Sequence, residues 1–222
     1  MSDATLPDKI AHRLRRDILT GKLPPGAPIK ERDNAAEMGV SRTPMREAIR
    51  ILSKEGLVSL RPARSPVVAQ PPMKEVIDAV QVLTALELLS GELACRNATE
   101  EQIDGIASLQ EHMAEAYDRV DTLDLFDIDM GFHQAIALAS NNQSLAETHG
   151  AYLRRLWRVR YLSASQKKSR ERVLRQHLGI VEGLRARDPD RVRQEIQSHL
   201  EHLELNIRRR MTEESAAGNG AA

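Results

Sequence analysis

Four prolines fall within the twelve-residue string RPARSPVVAQPP, residues 61–72. A proline ring removes a helix hydrogen bond and clashes with the turn before it, so no helix crosses this stretch. The chain must therefore fold in two parts, a first unit of about 70 residues and a longer second one. Hydrophobic residues at 41% supply a core, and charged residues at 29% supply a hydrated surface. No apolar run approaches the length of a membrane span. The opening MSDATLPDKIAHRLRRD has no apolar stretch leading to a cleavage site, so no signal peptide is expected. The single cysteine, Cys95, excludes an intrachain disulfide and fits a reducing cytoplasm.

The net charge of zero conceals an asymmetry: residues 1–70 hold 13 Lys and Arg against 8 Asp and Glu. The rest of the chain is correspondingly acidic, so the first unit is the part suited to a polyanion. Every aromatic residue lies beyond residue 70, which argues against base stacking and leaves duplex DNA, read by Arg and Lys, as the expected partner.

Within the first unit, Ile10, Leu14, Ile18 and Leu19 recur at helical spacing over residues 8–20. A second helix is expected from Glu31 to Met38, closed by Gly39. A third is expected from the N-cap Ser41 to about Lys54, before Gly56. On this third helix Met45, Ala48, Ile49 and Leu52 share one arc of about 100°, while Arg42, Thr43, Arg46 and Arg50 share another of the same width. One face is built to pack. The other presents guanidinium groups that can donate in pairs to a guanine edge or clamp a phosphate. An Arg-rich face on an isolated helix also reads as ordinary solvated surface, and it is the two preceding helices and the glycine turn that favour recognition. Leu57, Val58 and Leu60, then Val67 and Val68, read as two short strands around a turn carrying Arg61 and Arg64.

These segments, LRRDILTGKLPPGAPIKER, GVSRTPMREAIRILSKEGLV and RPARSPVVA, resemble the winged helix-turn-helix of the GntR superfamily of transcription regulators. The resemblance implies DNA contacts at Arg32, Arg42, Thr43, Arg46 and the wing residue Arg64. Asn34 stands where that family has an apolar residue, and Ser65 where its wing has glycine.

From residue 73 every segment reads as helix, and six helices with short connections imply an antiparallel bundle. The first carries a stripe at Val76, Val80, Leu83, Leu86, Leu89 or Ser90, and Leu93. Thr99 caps the second, and Asp188 with Pro189 opens the last. Asp129 and His133 are neighbours on one helical face, which Phe132 and Ile136 place near the core. His177 and His199 lie among apolar residues on two later helices. One carboxylate and three imidazoles suit a divalent transition metal, zinc, nickel or manganese. By spacing alone the same residues also read as a surface Asp and packed core histidines.

Residues 76–210 resemble the FCD domain that accompanies this winged helix, through LELLSGELACRNATEEQI, DMGFHQAIALASNNQSL, QHLGIVEGLRARD and SHLEHL. The six-helix count is similar to the VanR-type subgroup. The resemblance implies that Asp129, His133, His177 and His199 hold a metal ion, zinc in the first instance. It also implies a carboxylate effector, although Leu83 replaces the arginine that many members use to pair with one. Arg154 and Arg158, beside Trp157 and Tyr161, are candidate substitutes, and they equally fit a solvated face.

The expectation is a mainly α chain. Residues 1–70 form a winged helix-turn-helix, 71–75 a linker, 76–212 an all-helical effector, metal and dimerisation domain, and 213–222 a disordered tail. It would act in the cytoplasm as a homodimeric regulator, a repressor, that binds double-stranded operator DNA and answers to a small carboxylate metabolite. The competing readings are a metal-free bundle holding an acyl ligand and a metalloenzyme that activates water. The enzyme reading leaves the winged helix without a purpose.

Overall fold

The structure, a computed structural model, describes residues 5–164 and 170–219. The chain divides into two compact units, Met1–Pro72 and Met73–Ala222.

In the first unit, α1 (Leu6–Leu19) opens two residues earlier than periodicity suggested, because Thr5 and Asp8 form a reciprocal capping box. Then come α2 (Glu31–Glu37), α3 (Arg42–Lys54), β1 (Val58–Arg61) and β2 (Arg64–Val68). The buried side of α3 is Met45, Ala48, Ile49 and Leu52. These side chains pack with Ile10, Leu14 and Ile18 of α1 and with Leu57, Val58 and Val68 of the wing. Arg15 of α1 donates two hydrogen bonds to Glu55, at 3.0 and 2.6 Å, tying α1 to the C-terminus of α3.

The strands pair antiparallel, with Val58 opposite Val68 and Arg61 opposite Arg64, so Pro62 and Ala63 form the hairpin turn. The left-handed residue of the wing is Ala63 (φ 54°). Ser65 lies within β2, so its place in the glycine position of related wings causes no backbone conflict here. Asn34, in the position where an apolar residue was expected, turns its amide to the carbonyl of Lys30 at 2.9 Å.

The second unit is helical: α4 (Met73–Asn97), α5 (Glu100–Ala116), α6 (Thr122–Ala139), α7 (Gln143–Arg155), α8 (Trp157–Ala164), α9 (Arg170–Arg185), α10 (Pro189–Leu200) and α11 (Leu203–Asn219). Two of the six expected helices are each divided. One breaks at Leu156. The other breaks at Glu201 and His202, although Glu201 keeps right-handed helical dihedrals. The expected linker 71–75 is shorter, because Met73 to Glu75 already form the first turn of α4, where the acidic Glu75 suits the helix dipole. The expected disordered tail is helical as far as Asn219, consistent with the helix-favouring Glu213, Glu214, Ala216 and Ala217. Residues 220–222 lie outside the described residues.

The inward stripe of α4 keeps Val76, Val80, Leu83 and Ser90 of the expected one but leaves Leu86 and Leu93 half-buried. It runs through Leu83, Glu87, Ser90, Gly91 and Ala94, and Leu89 is 43% exposed. Small side chains there let neighbouring helices approach. A Cβ on Gly91 would lie 2.6 Å from Ile196 of α10. Around this contact Ile103, Ile106, Phe132, Ile136, Ile180, Val192 and Ile196 form one core. Arg187, left-handed at φ 54°, reaches the carbonyl of Ala98 at 2.7 Å and so satisfies the C-terminal end of α4. Among the described residues, no helix is long and apolar enough to cross a membrane.

Candidate metal centre and nucleic-acid interface

In the first unit, α3 buries its apolar arc and leaves Ser41, Arg42, Thr43, Arg46 and Arg50 exposed. Ser41 occupies the N-cap position but its hydroxyl makes no capping bond. The reason lies three residues on: Pro44 has no N–H to give it. The amides of Arg42 and Thr43 therefore remain at an exposed helix N-terminus beside the arginines, a favourable place for a phosphate. Glu31, at the start of α2, accepts from Nε of Arg46 at 2.7 Å, and Nη2 of Arg42 lies 3.9 Å from the same oxygen. Arg32 projects from α2 with its side chain 86% exposed. Arg64 is exposed at the start of β2, opposite Arg61, whose guanidinium is held by the carbonyl of Ser65. All five residues expected to meet DNA thus stand exposed on the first unit.

In the second unit, α6 supplies Asp129 and His133, α9 supplies His177, and α10 supplies His199. One ligand atom from each lies within 4.8 Å of all the others. His177 Nε2 is 3.3 Å from His199 Nε2 and 3.5 Å from Asp129 Oδ1, and His133 Nε2 is 3.8 Å from that oxygen. Phe132 stacks on His177 with ring centroids 4.4 Å apart, fixing the plane of that imidazole.

Burial holds His177 well below the usual histidine range and takes His199 down to about 3, the neighbouring imidazoles adding to the effect. Burial likewise raises Asp129, against the pull of His133. Neutral imidazoles are the form that binds a metal. Asp129 Oδ1 and His133 Nε2 are buried with no hydrogen-bond partner. Buried polar atoms left unpaired are costly, and a cation between them would satisfy both. The donor set and these orphaned atoms fit a divalent transition metal.

Sequence reasoning missed two members of this region. Glu87 of α4 is 4% exposed and bonds His133, and Arg160 of α8 is 4% exposed and bonds Glu87. Burial alone would raise the Glu87 carboxyl, but His133 and Arg160 beside it hold it well below the usual carboxylate range. The signal was present in the small-residue spacing Glu87, Ser90, Gly91, Ala94, which turns Glu87 inward. Leu83, one turn before it, is packed at 1% exposure.

A cavity of about 130 Å³ opens beside the cluster, lined by Asp129 and His199 and by Met113, Leu125, Phe126 and Leu203. The guanidinium groups lining it belong to Arg160 and Arg172. Arg154 and Arg158, the sequence candidates, are not among its lining residues. Arg154 instead lines an open groove with Gln134, Leu138 and Glu147, and Arg158 is half-buried on α8. The difference is rotational: Arg160, two residues and about 200° round α8 from Arg158, is the buried one, and Arg172 comes from α9. His149 is fully buried, with Nε2 3.8 Å from Glu87 Oε1.

Known proteins agree with these two units. The profile described as "Bacterial regulatory proteins, gntR family" matches residues 6–68, and that of the "FCD domain" matches residues 78–202. The HTH-type transcriptional repressor RspR of Escherichia coli K12 is 31% identical over 202 residues, covering 91% of this chain and 89% of its own. A probable D-xylose utilization operon transcriptional repressor of Paenarthrobacter nicotinovorans is 29% identical, covering 90% of this chain and 88% of its own. Among solved structures, E. coli McbR/YncC superposes with a TM-score of 0.77 at 22% identity, covering 92% of this chain and 98% of its own, a likeness of fold. The chain therefore belongs to the GntR family of bacterial regulatory proteins, carries an FCD domain as its second unit, and is a DNA-binding transcription regulator rather than an enzyme.

Proposed function

We propose that the chain is a ligand-responsive repressor acting in the cytoplasm as a homodimer on two-fold operator DNA. Arg42, Thr43 and Arg46 would read base edges, while Arg32 and Arg64 hold phosphate or minor groove. A single winged helix makes few contacts, and two-fold pairing doubles them. In the second unit Asp129, His133, His177 and His199 would hold a divalent ion, zinc first, with nickel and manganese the alternatives. Such an ion supplies a Lewis-acidic position open to a carboxylate. Arg160 and Arg172 face the same cavity and would bind the anion's remaining charge. Met113, Leu125, Phe126 and Leu203 would pack its carbon body and exclude water. The ligand is thus a small carboxylate metabolite, with a cavity sized for about four water molecules. It regulates only if it binds one arrangement of the dimer better than the other, with a typical coupling of about 1–3 kcal/mol.

The observation that carries this reading is the convergence of the four ligand atoms beside a cavity that Asp129 and His199 line together with Arg160 and Arg172. The test has two arms. Metal content is measured on purified protein and on His133→Ala. Genomic fragments retained by the protein are then selected with and without short mono- and dicarboxylates and sugar acids. Stoichiometric metal lost in the variant, and fragments released by one class of acid, are expected. Protein without metal, whose fragments no acid releases, would refute the proposal. In the DNA arm, Arg42→Ala with Arg46→Ala should abolish retention.

A second reading, a metal-free bundle holding an acyl chain, draws on the apolar part of the cavity lining. It leaves Asp129 Oδ1 and His133 Nε2 buried and unpaired, and is the weaker for that.

A further inference from the structure

Glu87 is a carboxylate almost wholly removed from solvent, and its two oxygens serve different partners. Oε2 lies 2.7 Å from Nδ1 of His133. Oε1 accepts from Nη1 of Arg160 at 2.8 Å and lies 3.8 Å from Nε2 of His149. With Nδ1–H donated to Glu87, the lone pair of His133 falls on Nε2, the atom that faces Asp129 in the ligand cluster. A bond on one ring nitrogen sets the tautomer and plane that the other nitrogen offers. Arg160 is bonded to Glu87 and is itself one of the residues lining the cavity.

We propose that Glu87 and Arg160 are positioning residues for the metal centre: Glu87 aims Nε2 of His133 into the cluster, and Arg160 clamps Glu87 from the cavity side. The inference rests on the metal reading above. It also names the residue through which an anion in the cavity and the ion would influence each other, since both depend on one guanidinium. A purely structural ion pair between α4 and α8 would leave the geometry at the cluster untouched, and this gives the distinction to be measured.

The experiment uses the full chain and the metals alone. Zinc affinity is measured by competition with a chromophoric chelator, cobalt(II) coordination by its ligand-field absorption, and folding by thermal unfolding of the metal-free protein. The variants are Glu87→Gln, Arg160→Met and Arg160→Lys, with His133→Ala as the reference for a lost ligand. Glutamine keeps the shape of Glu87, but Glu87 meets His133 and Arg160 with different oxygens, so the amide NH2 would face one of these two donors. Glu87→Gln should weaken zinc on the order of 10–100-fold and alter the cobalt spectrum. Arg160→Met should move both readouts in the same direction, and Arg160→Lys should restore most of the loss. Should Arg160→Met fail to fold, the Glu87→Gln titration decides. Parental zinc affinity with an unaltered cobalt spectrum in Glu87→Gln overturns the proposal, even if that variant unfolds earlier. A parent that binds zinc no better than His133→Ala overturns the metal reading itself, a different and separable failure.

Discussion

Glu31 holds the two arginines expected to enter the groove, through Nε of Arg46 at 2.7 Å and Nη2 of Arg42 at 3.9 Å. With Nε occupied, the outer nitrogens of Arg46 remain for a guanine edge, while the carboxylate repels phosphates nearby. Glu31→Gln should therefore raise affinity for a random-sequence duplex on the order of fivefold, the size of one exposed ion pair, and narrow its discrimination. Fluorescence anisotropy on random and selected duplexes measures this. Unchanged affinity for the random duplex would mean that Glu31 merely braces α2 against α3. Cys95 illustrates the opposite fate of a reactive group. Burial pushes its thiol up to about 11, so little thiolate exists near neutrality. Folded protein at pH 8 should react with Ellman's reagent far more slowly than denatured protein, and rapid stoichiometric modification of the native state would contradict this.

For helices, the decisive matter is which stripe faces inward. On α4 the expected stripe holds at Val76, Val80, Leu83 and Ser90, and beyond Leu83 packing turns Glu87, Gly91 and Ala94 inward in place of Leu86 and Leu93. The close approach of α10 explains why, since a Cβ at Gly91 would stand 2.6 and 2.7 Å from Ile196 and Val192. Gly91→Ala should cost about 1–3 kcal/mol by overpacking, read as a lower urea midpoint with little change in slope. Gly105 of α5 supplies the control, because a Cβ there meets nothing within 4 Å. Gly105→Ala should stabilise by about 0.5–1 kcal/mol through helix propensity and a less mobile unfolded chain. If both substitutions behaved alike, close helix approach would not be the reason for glycine at position 91.

At the scale of the whole molecule, each unit has its own core, and the candidate metal ligands all belong to the second. An ion that binds only the folded second unit stabilises it by about 2.7 kcal/mol at a hundredfold excess over its Kd. Calorimetry in zinc against chelator should move the transition of Met73–Ala222 up by about 5–10 °C and leave that of Met1–Pro72 in place. A second-unit transition indifferent to zinc would remove the metal from the account.

The division at the proline-rich string, the buried arc of α3, the caps at Thr99 and Asp188, and the four candidate ligands were all legible in the residues, because each follows from local covalent constraints or from the period of a helix. The place of Arg160 and Arg172 at the cavity and the breaks at Leu156 and Glu201 were not. Those depend on which face of one helix meets which face of another. That is settled by close packing between segments far apart in the chain, where a small residue such as Gly91 outweighs a row of leucines.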